Sequence, residues 1–292
     1  MIEFLGLELA HPVINGSGTF DAIAARRAFG DALDAQFPFS AFVSKTITLQ
    51  PRAGNPPPRL WEAPAGLINS IGLPNKGLAA YLEQDLPELA RLPVPLITNV
   101  MGSTAAEVVA LVETLSARGE VAAIELNVSC PNVRTGLDIG ADAGSLAAFL
   151  RAVRPHATKP LIVKLTPNTA DVAAVAEAAE AEGADAVSLI NTLRAMALGP
   201  DRRPWLGGGT GGLSGPAVFA VALAQVAGVA RRIGLPIVGM GGVRSTTQAR
   251  DLLDAGATLV AVGTETFRDP LAASRVAAGL REIPANSGER LR

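Results

Sequence analysis

The chain holds one cysteine, Cys130, in 292 residues. A lone cysteine cannot close an internal disulfide. It also cannot hold a zinc ion or an iron–sulfur cluster by itself, since those need several Cys or His ligands. No metal site is therefore expected, and a reduced, cytoplasmic setting is the default. Histidine is nearly as scarce, with only His11 and His156, so few side chains titrate near neutral pH. An excess of positive charge is also missing. The net charge of −2 gives no long-range attraction to nucleic acid or to an acidic membrane surface. Long apolar runs are absent too. The longest, residues 217–230, is broken by Gln225 and Gly228 and falls short of the roughly 18–20 residues of a membrane span. It reads as a buried helix. Met1-Ile2-Glu3-Phe4 lacks a basic segment followed by an apolar one, so no signal peptide is expected.

What the chain has is apolar content, 49% against 18% charged, enough for a large core. Its 21 prolines and 30 glycines are scattered, as many short connections require. Short continuous apolar runs at 13–16, 41–46, 96–100, 123–128, 161–166, 186–191, 237–241 and 259–263 suit parallel strands buried on both faces. Helical patterns lie between them, clearest at 104–118, 168–182 and 245–255. Each opens on a plausible N-cap, and Gly183 and Gly256 stand where the last two stop. Eight such repeats predict a (β/α)8 TIM barrel. A doubly wound open sheet would want a glycine fingerprint after its first strand, and Gly16-Ser17-Gly18 lacks the third glycine. Residues 2–10 alternate and read as a small hairpin turning at Gly6, placed to cover the lower end of the barrel. Residues 49–75, with Pro56-Pro57-Pro58, read as an inserted flap. No linker interrupts the chain, so residues 1–292 are expected to form one domain.

In such barrels the chemistry lies where strands end. Here the ends are polar: Ser17, Lys45-Thr46, Asn99, Asn127, Lys164, Asn191-Thr192, Gly241-Gly242 and Gly263-Thr264. Any one of them suits a helix cap or a turn; the whole set points to a site. The glycines after the seventh and eighth strands either serve turns of positive φ or expose backbone N–H groups to a phosphate. The habits of the fold favour phosphate, and with it a phosphorylated substrate or a cofactor such as FMN. Lysine occurs only at 45, 76, 159 and 164, and Lys45 and Lys164 stand at strand ends. An ammonium at a barrel mouth can hold a carboxylate, neutralise an anionic ring or form a Schiff base. Cys130 follows the strand ending at Asn127, in a polar loop. As a nucleophile it would want a paired histidine, and neither His11 nor His156 is placed to help. A general base is the better role. A thiol of ordinary pKa, about 8.5, would make such an enzyme work better above neutral pH.

Several segments together resemble the class 1 dihydroorotate dehydrogenases, over nearly the full length. They include Gly16-Ser17-Gly18-Thr19-Phe20, Ser44-Lys45-Thr46, Asn69-Ser70-Ile71-Gly72-Leu73, Asn127-Val128-Ser129-Cys130-Pro131-Asn132, Val163-Lys164-Leu165, Asn191-Thr192-Leu193 and Gly211-Gly212-Leu213-Ser214-Gly215-Pro216. The resemblance implies FMN-dependent oxidation of dihydroorotate to orotate in pyrimidine (UMP) biosynthesis. Cys130 would take the C5 proton while the C6 hydride passes to the flavin. Lys45, Asn69, Ser70, Ile71, Gly72, Leu73, Asn127, Asn132, Asn191 and Thr192 would hold the substrate. Asn offers both a donor and an acceptor to a heterocycle edge. Ser17, Lys45, Thr46, Asn99, Asn127, Lys164 and Ile190 would surround the flavin, and Gly215, Gly241, Gly242, Gly263 and Thr264 would cradle its phosphate.

Lys45-Thr46, the triple proline before Arg59 and Thr210-Gly211-Gly212-Leu213-Ser214-Gly215 are most similar to subtype B. The resemblance then implies a homodimer core, in a heterotetramer with a second subunit carrying FAD and a 2Fe-2S cluster and passing electrons to NAD. The alternatives are a fumarate-linked subtype A enzyme, an FMN barrel acting on another pyrimidine, and a phosphate-binding barrel or scaffold without flavin. The chain departs from the subtype B pattern at Ile14-Asn15-Gly16, at Asp21, at Arg194-Ala195-Met196 and in the loop Arg134–Gly140.

Overall fold

A computed structural model describes residues 1–129 and 139–282. Its strands, in chain order, begin with β1 (Ile2–Phe4), β2 (Leu7–Leu9), β3 (Val13–Asn15), β4 (Phe42–Val43), β5 (Leu60–Ala63), β6 (Gly66–Asn69) and β7 (Leu96–Val100). They continue with β8 (Val121–Asn127), β9 (Leu161–Lys164), β10 (Ala186–Leu189), β11 (Leu193–Ala195), β12 (Gly211–Ser214), β13 (Ile237–Met240) and β14 (Leu259–Val262). Eight of them form one parallel sheet in the order β3-β14-β13-β10-β9-β8-β7-β4, the strand set of the expected TIM barrel. The seam between the two edge strands is joined by a side chain. Asn15 Nδ2 donates to the Val43 carbonyl at 2.8 Å, and Asn15 Oδ1 accepts from Val43 N at 2.7 Å. An amide carries one donor group and one acceptor, so Asn15 reproduces across the seam what a backbone ladder provides elsewhere.

Side chains alternate along each strand. One set, including Leu96, Ile124, Leu126, Val163 and Val187, packs outward against the helices. The other, including Ile97, Ala123, Ile162, Ala186 and Val238, fills the barrel interior with Phe4 and Leu9 of the N-terminal hairpin. Phe4 and Leu9 are buried, so the hairpin closes the lower end as expected.

Helix starts follow the capping chemistry of the sequence. Thr104 and Ser245 accept hydrogen bonds from Glu107 N and Gln248 N, opening helices Ala105–Ser116 and Thr246–Asp254. Helix Val172–Ala181 opens later than its pattern suggests, capped by Asp171. Asn168, the expected start, instead donates to the Thr192 carbonyl at 3.0 Å and ties down a loop at the mouth. Gly183 and Gly256 end their helices at φ +81 and +112, a backbone region that favours glycine. Residues 217–230 form the expected helix in the span Phe219–Ala230. No helix among the described residues is long and apolar enough to cross a membrane.

Two features depart from expectation. Residues 41–46 contain only the two-residue β4. Ser44 N donates to the Ile97 carbonyl and Ile47 N to the Asn99 carbonyl, so three steps along this chain match two on β7. That extra residue is a bulge, which re-aims the side chains beside it and turns Lys45-Thr46 to the mouth. The flap is also larger than its own segment. β5 and β6 pair with each other, and β6 continues through β12 to β11 in a four-stranded antiparallel sheet.

A cationic cavity at the barrel mouth

The strand ends and the four-stranded sheet enclose a cavity of about 860 Å³, within the range of organic-ligand sites. Of the residues singled out in the sequence, Ser17, Lys45, Thr46, Asn127, Lys164 and Ile190 reach it from the barrel side. Asn69, Ser70, Ile71, Gly72 and Leu73 reach it from the end of the flap, and Asn191 and Thr192 from the loop after β10. Gly241, Gly242, Gly263 and Thr264 form its far end. Asn99 does not line it. It is fully buried one layer beneath, and its Nδ2 donates to Glu125 Oε2. Gly215 stands behind the far end, where a Cβ on Gly242 would meet its carbonyl oxygen at 2.6 Å. Cys130 and Asn132 lie outside the described residues.

The polar groups of the cavity are held from behind. Ser17 Oγ donates to the Ser44 carbonyl at 2.8 Å. Asn69 Nδ2 donates to the Gly212 carbonyl at 3.2 Å, and Asn191 Nδ2 to Ser129 Oγ at 3.0 Å. Asn55 supports the neighbouring turn through a bond from its Nδ2 to Ser70 Oγ at 3.0 Å. Each amide keeps part of its bonding capacity for a ligand. At the far end Thr264 Oγ1 donates to Ser214 Oγ at 2.8 Å. Ser214 also lines the cavity. It is not among the expected site residues, and the sequence marks it only as a polar residue beside glycines.

Charge is distributed unevenly. Among the described lining residues Lys45 and Lys164 carry the only charges, and neither makes a hydrogen bond or ion pair with the described residues. Desolvation by the cavity walls moves the Lys45 ammonium below its ordinary pKa, and the Asp21 carboxylate opposes this. Two unpaired ammonium groups facing an enclosed space call for anionic ligands. The far end adds backbone donors. A Cβ on Gly241 would meet Ala222 Cβ at 2.7 Å, so nothing larger than glycine fits there, whereas one on Gly263 would meet only Thr19 Cγ2 at 3.5 Å and would fill the cradle itself. These residues therefore fit a phosphate-bearing cofactor with an anionic substrate beside it.

The family model described as dihydroorotate dehydrogenase matches residues 1–283. The chain belongs to the dihydroorotate dehydrogenase family. Curated relatives agree in both sequence and length. A protein of Geotalea daltonii is 44% identical over 289 residues, covering 98% of this chain and 93% of its own. One of Citrifermentans bemidjiense is 45% identical, with 94% and 90% covered, and one of Trichlorobacter lovleyi is 44% identical, with 98% and 94% covered. All three are named dihydroorotate dehydrogenase B (NAD+), catalytic subunit. The expected resemblance to subtype B is thus borne out, and the flavin dependence of the dihydroorotate dehydrogenase family accords with the cavity.

Proposed function

We propose that this chain is the FMN-bearing catalytic subunit that oxidises dihydroorotate to orotate. Its electrons pass to NAD through a partner subunit carrying FAD and a 2Fe-2S cluster, in the cytoplasm, with residues 1–292 working as one domain in a homodimer core. The observation that supports the reading best is the pair of lysines, the only charges among the described residues of the cavity wall and without a hydrogen bond or ion pair to any of those residues. FMN, when bound, supplies the two-electron acceptor. Lys164 balances negative charge on its ring, while the backbone at Gly241, Gly242, Gly263 and Thr264 binds its phosphate, with Gly215 behind them. Ser17, Thr46 and Ile190 shape the wall around the ring, and Asn99 supports it from below. Lys45 opposes the carboxylate of the substrate. Asn69, Asn127, Asn132 and Asn191 pair with the edges of the pyrimidine, helped by Thr192 and by the turn from Ser70 to Leu73. The substrate is thereby oriented and water displaced before any bond breaks. Cys130 Sγ receives the proton from C5.

The test is reconstitution of purified protein with FMN, followed by addition of dihydroorotate without oxygen. The flavin absorbance should bleach. NAD should then restore it only when the partner subunit is present. A folded, FMN-loaded protein that never bleaches overturns the reading, and reoxidation by fumarate alone removes its subtype B part.

A further inference from the structure

Glu125 takes no part in that mechanism, yet it is buried inside the barrel at 3% exposure. A carboxylate taken out of water is costly unless its lone pairs are satisfied. Here both oxygens accept hydrogen bonds, Oε2 from Asn99 Nδ2 at 2.5 Å and Oε1 from Ser188 Oγ at 2.7 Å. No ion pair within the described residues accompanies them. Both carboxyl oxygens thus have a polar partner in the interior.

The register shows what this arrangement lies beneath. Glu125 stands opposite Asn99 in the β7–β8 ladder. On β9, Lys164 stands opposite Asn127 of β8 and Ser188 of β10, and Ile162 stands opposite Glu125 and Ala186. The Glu125–Ser188 bond therefore crosses the inner face of β9 at the foot of Lys164. Asn99 Oδ1 is buried with no hydrogen-bond partner. Turning that amide over would set its oxygen against Glu125 Oε2, so the carboxylate fixes its orientation. The bridge thus joins three strands under the cavity floor, and it places a negative charge below a lysine that faces the cavity.

We propose that Glu125 is a positioning residue: bridged to Asn99 and Ser188 beneath Lys164, it sets the cavity floor and offsets the Lys164 charge, restraining the tendency of bound flavin to accept electrons. The proposal rests on the FMN reading above. Glu125→Gln tests it, because Gln can still accept from Asn99 and, after the hydroxyl rotates, donate to Ser188 while carrying no charge. The wild type and E125Q are compared by anaerobic redox titration, alongside FMN binding to each apoprotein. E125Q should bind FMN and raise the equilibrium constant for flavin reduction at least tenfold, about 30 mV for a two-electron couple. Ser188→Ala keeps the charge but removes one arm of the bridge. It should weaken FMN binding severalfold and move the potential less than E125Q does. FMN-loaded wild type and E125Q with the same potential overturn the proposal and leave the function standing. If E125Q does not fold, S188A with wild-type FMN affinity and potential overturns it instead. A wild type that never takes up FMN removes both readings.

Discussion

The two ends of the barrel are built on the same strands and differ by one inward-facing position. At the lower end Ile97, Ala123, Ile162 and Ala186 pack with Phe4 and Leu9 in an apolar plug. Two residues further along, the same face carries Asn99, Glu125, Lys164 and Ser188, all buried. The lower end satisfies itself by apolar packing, while the mouth carries two lysines that make no hydrogen bond or ion pair with the described residues. Strand periodicity thus lets one short element serve stability at one end and binding at the other. Substitutions at the two ends should separate cleanly.

The largest effect is expected at the mouth. Cys130→Ala should slow flavin reduction about a thousandfold, the middle of the range for loss of a general base, with FMN still bound; anaerobic stopped-flow checks this, and Cys130→Ser should fall between. At the other end, Phe4→Ala should cost about 3–5 kcal/mol of stability in a urea titration, with FMN affinity of the folded protein unchanged. A loss of FMN affinity in the folded F4A protein would break the division between the ends. Lys164→Ala should weaken FMN binding roughly tenfold, about 1.4 kcal/mol, measured by quenching of flavin fluorescence, with little change in melting temperature. The remaining effect is seen only in acid and concerns His11, which accepts a hydrogen bond from Val13 N at 3.3 Å. Burial, with Arg281 adding to it, lowers its pKa from 6.5 to about 4. Above pH 6.5 neither the folded nor the unfolded state protonates it. Below that the unfolded chain binds a proton that the folded one refuses, so stability should fall between pH 6.5 and 4, by on the order of 2 kcal/mol. His11→Gln should flatten that slope.

The barrel strands are legible because parallel strands buried on both faces form short apolar runs that little else in the chain resembles. The helix starts at Ala105 and Thr246 are legible because Thr104 and Ser245 are good caps. The four-stranded sheet was harder to see. β12 begins with Gly211-Gly212, residues of low strand propensity, and its partner Asn69 lies far away in sequence. The bulge before Ile47 was invisible because it exists only in the pairing with β7. Asn15, one of the departures from the subtype B pattern, became intelligible only once the seam to Val43 was in view. Glu125 does carry a signal in the sequence: a charged residue inside an apolar strand, two residues before Asn127 and on the same face. Asn99 is expected at the wall of the site but lies beneath it, its amide engaged by Glu125.

As an anion site, the mouth should take a carboxylated pyrimidine beside FMN. The most direct measurement compares dihydroorotate with dihydrouracil, which has the same ring without the carboxylate, as reductants of the FMN-loaded protein in the absence of oxygen. Dihydroorotate should bleach the flavin at least a hundredfold faster, a preference that Lys45→Ala reduces. Equal rates with the two reductants, or a preference unchanged in Lys45→Ala, would contradict the account.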